Sequence, residues 1–479
     1  VRCALGDYVV KIASIILCAG VGSRLKSSKN KILHELCGRP LGYWPIKNAK
    51  SVTNLPPIIV ISHQAAAVEE ELAKYFHDEV SFAYQQAPNG TADAVKAALP
   101  HLDSSCQSVL VVCGDTPLLK TESLAKLVMI QQNSHVPIAL MTAHTNDPTG
   151  YGRIIRNNAQ QISGIVEDHE ASPLEREISE VNPGVYVFDV EFLREHIGKI
   201  KPSKQKNEFH LTDVIELYIR SGASYGPVGS VDISAEEMHG INDRRQLAYA
   251  QKILNRRLLD RWMVDGVTFI DPDQTYIEEG VQLAKDVIIY PGVHLKGKTY
   301  VSEGVIIENG AIIKDSVIEQ GAHVLPYTWC DQAYIGERAQ VGPFARLRPD
   351  ARLDCDVRVG NFVEIKRSRL KQGAKAGHLA YIGDAELGAR CNIGAGAITC
   401  NFDGSSKHRT VIGEEAFIGS NVTMIAPLAI GDRAYVAGGS TINGEVPKDT
   451  LAIGRAHQIN KERKSKSSTA KARATASAG

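Results

Sequence analysis

The chain has 479 residues, enough for two or three domains with complete cores. Its 54 basic and 54 acidic residues cancel, which removes any global electrostatic case for a nucleic-acid partner. Nine cysteines without a C-x-x-C pair read as reduced thiols of a cytoplasmic protein, not as a disulfide frame or zinc site.

No apolar run reaches the roughly 18 residues that cross a bilayer. Residues 1–9 lack the charged start and long apolar core of a signal peptide. No membrane partner is therefore expected.

Residues 11–17 form a short apolar run, predicted as a buried strand. It leads into Cys18-Ala19-Gly20-Val21-Gly22-Ser23-Arg24-Leu25, with Lys31 following shortly after. Glycines at 20 and 22 let backbone N–H groups converge into a nest for phosphate oxygens. Arg24 and Lys31 add charge for a pentavalent phosphorus centre. Taken alone, two such glycines fit an ordinary strand-to-helix turn as well.

Gln85 and Asn89-Gly90-Thr91-Ala92-Asp93-Ala94 offer polar and small groups that can hydrogen-bond a base edge. Residues 110–112 form a second buried strand, ending in Cys113-Gly114-Asp115. Ligands bind at the carboxyl ends of strands in open α/β sheets. Asp115 there suits Mg²⁺, which takes one or two carboxylates beside substrate oxygens; capping a helix from Pro117 is its other reading.

Residues 244–260 read as a charged connecting helix capped by Asp243, with Leu247, Ile253, Leu254, Leu258 and Leu259 near helical spacing. Beyond Val267 a hexad beat begins loosely at Val287, Val293, Val305, Ala311 and Val317. It tightens into aliphatic–glycine pairs at 335–336, 341–342, 359–360, 387–388, 393–394, 412–413, 418–419 and 430–431.

One aliphatic residue in every hexad marks a parallel β-helix, with three strands per coil and glycine expected at the tight corners. Two breaks, from Gly360 to Gly388 and from Gly394 to Gly413, are not whole numbers of hexads. They predict loops expelled from the coil. These carry Lys366, His378 and Tyr381, then Asn401 and Asp403. Prisms of this kind bury their flat faces by symmetric closure, so a homotrimer is expected. Residues 461–479 hold six Lys or Arg against one Glu and no apolar period, a disordered basic tail.

The strings L-C-A-G-V-G-S-R-L, G-T-A-D-A and C-G-D-T-P-L resemble sugar-nucleotide pyrophosphorylases. Tyr151-Gly152-Arg153, residues 164–167, Glu180-Val181-Asn182 and residues 209–213 narrow the match. So do the β-helix strings 342–349, 359–366, 376–383, 392–396 and 399–404. Over about residues 11 to 460 the chain is similar to the bacterial bifunctional N-acetylglucosamine-1-phosphate uridyltransferase/glucosamine-1-phosphate acetyltransferases.

The resemblance implies an α/β Rossmann-like nucleotidyltransferase domain (11–243), a linker helix (244–262), a left-handed parallel β-helix of hexapeptide repeats (263–460) and the tail. It implies UTP, acetyl-CoA and Mg²⁺ as co-substrates and cofactor, in the supply of amino sugar to the cell envelope. For uridylyl transfer it implies Arg24 and Lys31 as catalytic residues. Leu17, Cys18, Ala19, Gly20, Lys31, Gln85, Gly90 and Thr91 would hold the nucleotide, and Gly152, Glu167, Asn182 and Thr212 the sugar. Asp115 and Asn242 would hold the metal.

For acetyl transfer the implied base is His378, the natural group to deprotonate an amine attacking a thioester. Arg348, Lys366, Tyr381 and Asn392 would hold glucosamine 1-phosphate. Ala395, Asn401, Phe402, Ser420, Gly438 and Arg455 would line the acetyl-CoA path.

Four positions depart from the family pattern: Asn30 replaces a proline, Val21 a lysine, Phe402 a tyrosine and Gly438 an alanine. The first two predict somewhat weaker nucleotide affinity. A single-activity sugar-phosphate nucleotidyltransferase with a structural β-helix, and a scaffold that only binds sugar nucleotides, are the alternatives. His378 and the broken hexads argue against the first, and the second would need Lys31 or Asp115 to be dispensable for turnover.

Overall fold

The computed structural model describes residues 10–20, 22–62, 64–87, 89–203, 208–222 and 226–462. Val21 and residues 463–479 of the basic tail lie outside them. Two compact units emerge: residues through Trp262 with Tyr276–Gly280, and Met263–Thr275 with residues from Val281 onward.

In the first unit, four parallel strands make one half of a mixed sheet: β1 (Ile12–Leu17), β2 (Ile58–Ile61), β3 (Ser81–Tyr84) and β4 (Ser108–Cys113), in the order β3-β2-β1-β4. Tyr186–Asp189 joins β4 antiparallel and extends the sheet toward Ile138–His144 and the strands around Gly152–Arg156. Helices cover it, so the central strands read as unbroken apolar runs. Ile15, Val60, Val109, Val111, Leu140 and Phe188 share one buried core.

The register Leu17↔Cys113 sets the carboxyl ends of β1 and β4 side by side. Gly114 N–H donates to the Leu17 carbonyl at 2.9 Å. A Cβ at Gly114 would lie 2.4 Å from Cys18 Sγ, so only glycine fits between these two loops. The helix Arg244–Val264 is capped by Asp243, whose Oδ1 accepts from Gln246 N–H at 2.9 Å. Within this unit it is tied down by Arg257, which donates to the Leu118 carbonyl and to Glu236.

The second unit is a three-sided parallel β-helix. Ile335, Val341, Leu347, Leu353, Val359 and Ile365 fall one per hexad and are all buried, while Gln340, Arg346, Arg352 and Arg358 beside them face out. Strands stack in register from coil to coil, so that Tyr334 meets Arg352 after three hexads.

Glycine takes some left-handed corners, as expected, at Gly310, Gly321, Gly373 and Gly396, but the glycines of most aliphatic–glycine pairs serve otherwise. The left-handed corners fall just beyond the aliphatic–glycine pairs, on Arg338, Phe362, Arg390, Glu415 and Arg433, with φ near +55° to +59°. The paired glycines are needed because coils touch there. A Cβ at Gly360 would sit 1.9 Å from the Gly377 carbonyl oxygen, and one at Gly388 2.3 Å from Gly413 C.

The first predicted loop does not exist. The beat continues through Val359, Ile365, Leu370, Ala376, Ile382 and Leu387, all buried. Between Arg358 and Lys375 the coil simply falls one short of three full hexads. His378 therefore ends a strand, Lys375–His378, and Tyr381 begins the next, Tyr381–Gly383. The second break is a true excursion. The step from Asn392 to Phe417 is longer than a coil, and the surplus leaves as a hairpin bridged at Phe402↔Lys407.

Candidate active sites

At the carboxyl edge of β1 and β4 lies a cavity of about 310 Å³. Leu17, Cys18, Ala19, Gly20, Lys31, Gln85, Gly90, Thr91 and Asp115 all line it. Gly22 is left-handed at φ 66°, and a Cβ there would meet Lys31 Cβ at 2.6 Å. The glycine thus lets the loop pack against the lysine stem. A larger cavity in this unit, about 670 Å³ and lined by Gln107, His135, Phe192, His196 and Tyr218, holds none of the predicted site residues.

The charged end of the smaller cavity is tightly knotted. Lys31 Nζ donates to Asp115 Oδ2 at 2.5 Å and to Asn242 Oδ1 at 2.9 Å, with its side chain only 9% exposed. Arg24 Nη2 also donates to Asn242 Oδ1, at 2.9 Å. Asp115 caps no helix, since the next one is Thr121–Ser134. A carboxylate and an amide oxygen that share one ammonium form a hard-oxygen pair of the kind Mg²⁺ accepts. Burial, reinforced by Asp115, pushes the Cys113 thiol up to about 12 and raises Cys18 as well, so both stay neutral beside the nest.

Gly152, Glu167, Asn182 and Thr212 also converge. Gly152 and Asn182 are strand partners. Thr212 Oγ1 donates to Glu167 Oε1 at 3.0 Å, and Asn182 Nδ2 donates to Tyr186 Oη at 2.7 Å. Thr91 Oγ1 accepts from Leu211 N–H at 3.0 Å, which ties this cluster to the cavity.

On the β-helix, His378 Nδ1 lies 2.8 Å from Asn361 Oδ1, one coil below. The amide oxygen only accepts, so Nδ1 is the donor in this contact, which does not use Nε2. Around the next corner, Arg348 Nη1 pairs with Glu364 Oε1 at 2.8 Å. Arg348, then Lys407, depress the Lys366 pKa by repulsion, so three cations stand close together here.

Asn401 donates to Asp384, which the Arg367 fork also grips at 2.6 and 2.7 Å. Asn392 stands on the same sheet as His378. Higher up, Asn421 N–H donates to the Ala395 carbonyl and Gly439 N–H to that of Ser420, both at 2.7 Å. Arg455 donates to the Gly438 carbonyl. Phe402 is 57% exposed on the hairpin.

Family comparisons agree with both halves. A nucleotidyl transferase family matches residues 13–231, and a bacterial transferase hexapeptide (six repeats) family matches residues 409–444. A Trichlorobacter lovleyi protein named Bifunctional protein GlmU is 42% identical over 449 residues, covering 94% of this chain and 97% of that one. The chain belongs to the GlmU family. GlmU proteins of Sorangium cellulosum and an Anaeromyxobacter species are 41% and 43% identical, each over 94% of this chain and over 95% and 92% of their own.

Sequence reasoning about this GlmU-family chain passed over Asn361, Glu364, Lys407 and Asp384. Glu364 and Lys366 flank inward Ile365, so strand alternation would have turned both outward together. Asn361 precedes His378 by one shortened coil, a spacing hidden until the coil length is known.

Proposed function

We propose that the chain makes UDP-N-acetylglucosamine by two transfers. The acetyl group of acetyl-CoA goes to the amine of glucosamine 1-phosphate. The uridylyl group of UTP then goes to N-acetylglucosamine 1-phosphate, releasing pyrophosphate. The observation that carries this reading is the end-to-end match to bifunctional relatives, 94% of this chain against 97% of the Trichlorobacter protein.

In uridylyl transfer, a phosphate oxygen of the sugar attacks the α-phosphorus and the bond to pyrophosphate breaks. Gln85, Gly90 and Thr91 hold the base; Gly152, Glu167, Asn182 and Thr212 hold the sugar. Asp115 and Asn242 would hold Mg²⁺, whose chemistry here is to neutralise charge on the phosphates. Lys31 and Arg24, already drawn to the same oxygens, stabilise the transition state electrostatically.

In acetyl transfer, the amine attacks the thioester carbonyl, the C–N bond forms and the C–S bond breaks. His378 Nε2 takes the amine proton and returns it to the departing thiolate. Arg348 and Lys366 bind the sugar phosphate, Tyr381 and Asn392 the ring. Ala395, Asn401, Phe402, Ser420, Gly438 and Arg455 line the coenzyme path.

The β-helix assembles copies of the chain as a homotrimer. No helix among the described residues is long and apolar enough to cross a membrane.

The test is to supply acetyl-CoA, glucosamine 1-phosphate, UTP and Mg²⁺ and follow products by mass spectrometry. His378→Ala should make UDP-N-acetylglucosamine only from the pre-acetylated sugar phosphate, and Asp115→Ala should stop at the acetylated intermediate. A wild-type protein that needs the pre-acetylated sugar would leave only the nucleotidyltransferase.

A further inference from the structure

Asp93 stands in the first turn of the helix Thr91–Ala98, where a carboxylate ordinarily does no more than complement the helix dipole. Here its Oδ2 accepts from Gln85 Nε2 at 2.8 Å. The same nitrogen donates to the Gly90 carbonyl at 3.2 Å. A carboxylate and a carbonyl only accept, so chemistry dictates which way the Gln85 amide faces. Its nitrogen points at Asp93 and Gly90, and both of its hydrogens are committed. Oε1 is left on the opposite edge of the planar group, without a partner among the described residues. Gln85 is 5% exposed and lines the 310 Å³ cavity.

We propose that Asp93 is a positioning residue that sets nucleobase specificity, holding the Gln85 amide so that the pocket offers the base an acceptor and not a donor. Uracil carries a hydrogen on N3 and can donate it to Oε1. Cytosine carries a lone pair on N3 and would meet Oε1 acceptor to acceptor. A buried site built for one hydrogen-bond pattern strongly rejects the analogue that leaves its group unpaired. The same arrangement admits thymine, which shares the N3 hydrogen. This inference rests on Gln85 being the base contact of the uridylyl site.

Wild type, Gln85→Leu, Asp93→Ala and Asp93→Asn are compared for kcat/KM with UTP and with CTP, using N-acetylglucosamine 1-phosphate and Mg²⁺. Thermal unfolding of the same preparations checks that the first unit, which carries residues 85 and 93, is folded in each variant. In Asp93→Ala only the longer bond to the Gly90 carbonyl still orients the amide, and the UTP/CTP ratio should fall by at least about tenfold. Part of that fall should be a gain on CTP. Asn at 93 still presents an oxygen to Gln85 and should keep the ratio within about threefold.

A purely structural role for Asp93 would weaken both nucleotides equally, and an unchanged ratio in Asp93→Ala overturns the proposal. Gln85→Leu separates the two ideas. A raised KM for UTP upholds the base contact whatever Asp93 does, whereas an unchanged KM removes the contact and the proposal together.

Discussion

Asn30 illustrates how one side chain can replace a rigid one. The family pattern has proline there, and the sequence alone predicts a looser approach to Lys31. In the fold, Asn30 has φ −55°, inside the window proline imposes, and its side chain accepts from Ile32 N–H at 3.0 Å, capping Lys31–Leu33. Asn30→Pro exchanges a cap of about 1 kcal/mol for backbone entropy of about 0.4–1 kcal/mol. Thermal unfolding should therefore place it within about 1 kcal/mol of wild type. Asn30→Ala loses the cap without that return, and UTP kinetics should show KM raised about fivefold.

Asp213 offers a second test at this scale. Burial raises its pKa from 3.8 to about 6; His210 opposes that rise, while Glu216, Glu167 and Glu170 add to it. Below pH 3.8 the carboxyl is protonated folded or unfolded, and the fold carries no penalty. Between pH 3.8 and 6 the unfolded chain ionises first, so stability falls; above 6 the loss is complete. Discounted for partial exposure, Asp213→Asn should gain about 1–2 kcal/mol at pH 7.5 and nothing at pH 3.5. Denaturant midpoints at the two pH values decide it.

At the scale of elements, the β-helix was legible because its beat is repeated many times and each aliphatic residue faces inward. The job of its paired glycines was not legible, since sequence does not reveal what the next coil brings against them. Corners accept Arg, Glu and Phe in left-handed geometry, while the contact points between coils do not accept a Cβ. Gly360 and Gly377 make the contrast testable. A Cβ at 360 would strike backbone 1.9 Å away, whereas one at 377 meets nothing within 4 Å and φ there is ordinary.

Gly360→Ala should destabilise the β-helix by about 3 kcal/mol, at the upper end for overpacking because backbone cannot swing aside. Gly377→Ala should leave the unfolding midpoint unchanged. Equal effects in calorimetry would sink the account. The same blindness explains the phantom loop around His378. Two slightly shortened coils, with lysine and not glycine after Ile365 and Leu370, hide the beat without breaking it.

Across the whole molecule, a net charge of zero concealed strong local fields, for Arg348, Lys366 and Lys407 gather on one face. Global charge excludes only global effects. That residues 17–20, Lys31 and Asp115 share one cavity, by contrast, was readable in advance, because most are close in sequence and one strand register aligns the rest.

The proposed homotrimer would account for an exposed feature of the coil. Tyr327, Phe344, Phe362 and Leu379 occupy the same left-handed corner of successive coils and are 59%, 48%, 56% and 60% exposed. The aromatic rings stack at 5.3 and 5.5 Å. Left-handed geometry costs a non-glycine residue on the order of 1–2 kcal/mol. Burying each side chain against a neighbour would return about 1.5–3 kcal/mol, and a continuous exposed apolar ladder marks an interface. Closure of three prisms about a common axis buries all three ladders alike. Sedimentation should find three copies of the wild-type chain. The double variant Phe344→Glu, Phe362→Glu should sediment as one copy while uridylyl transfer stays within about twofold. A monomeric wild type, or a double variant that still sediments as three, would remove the ladder from the interface.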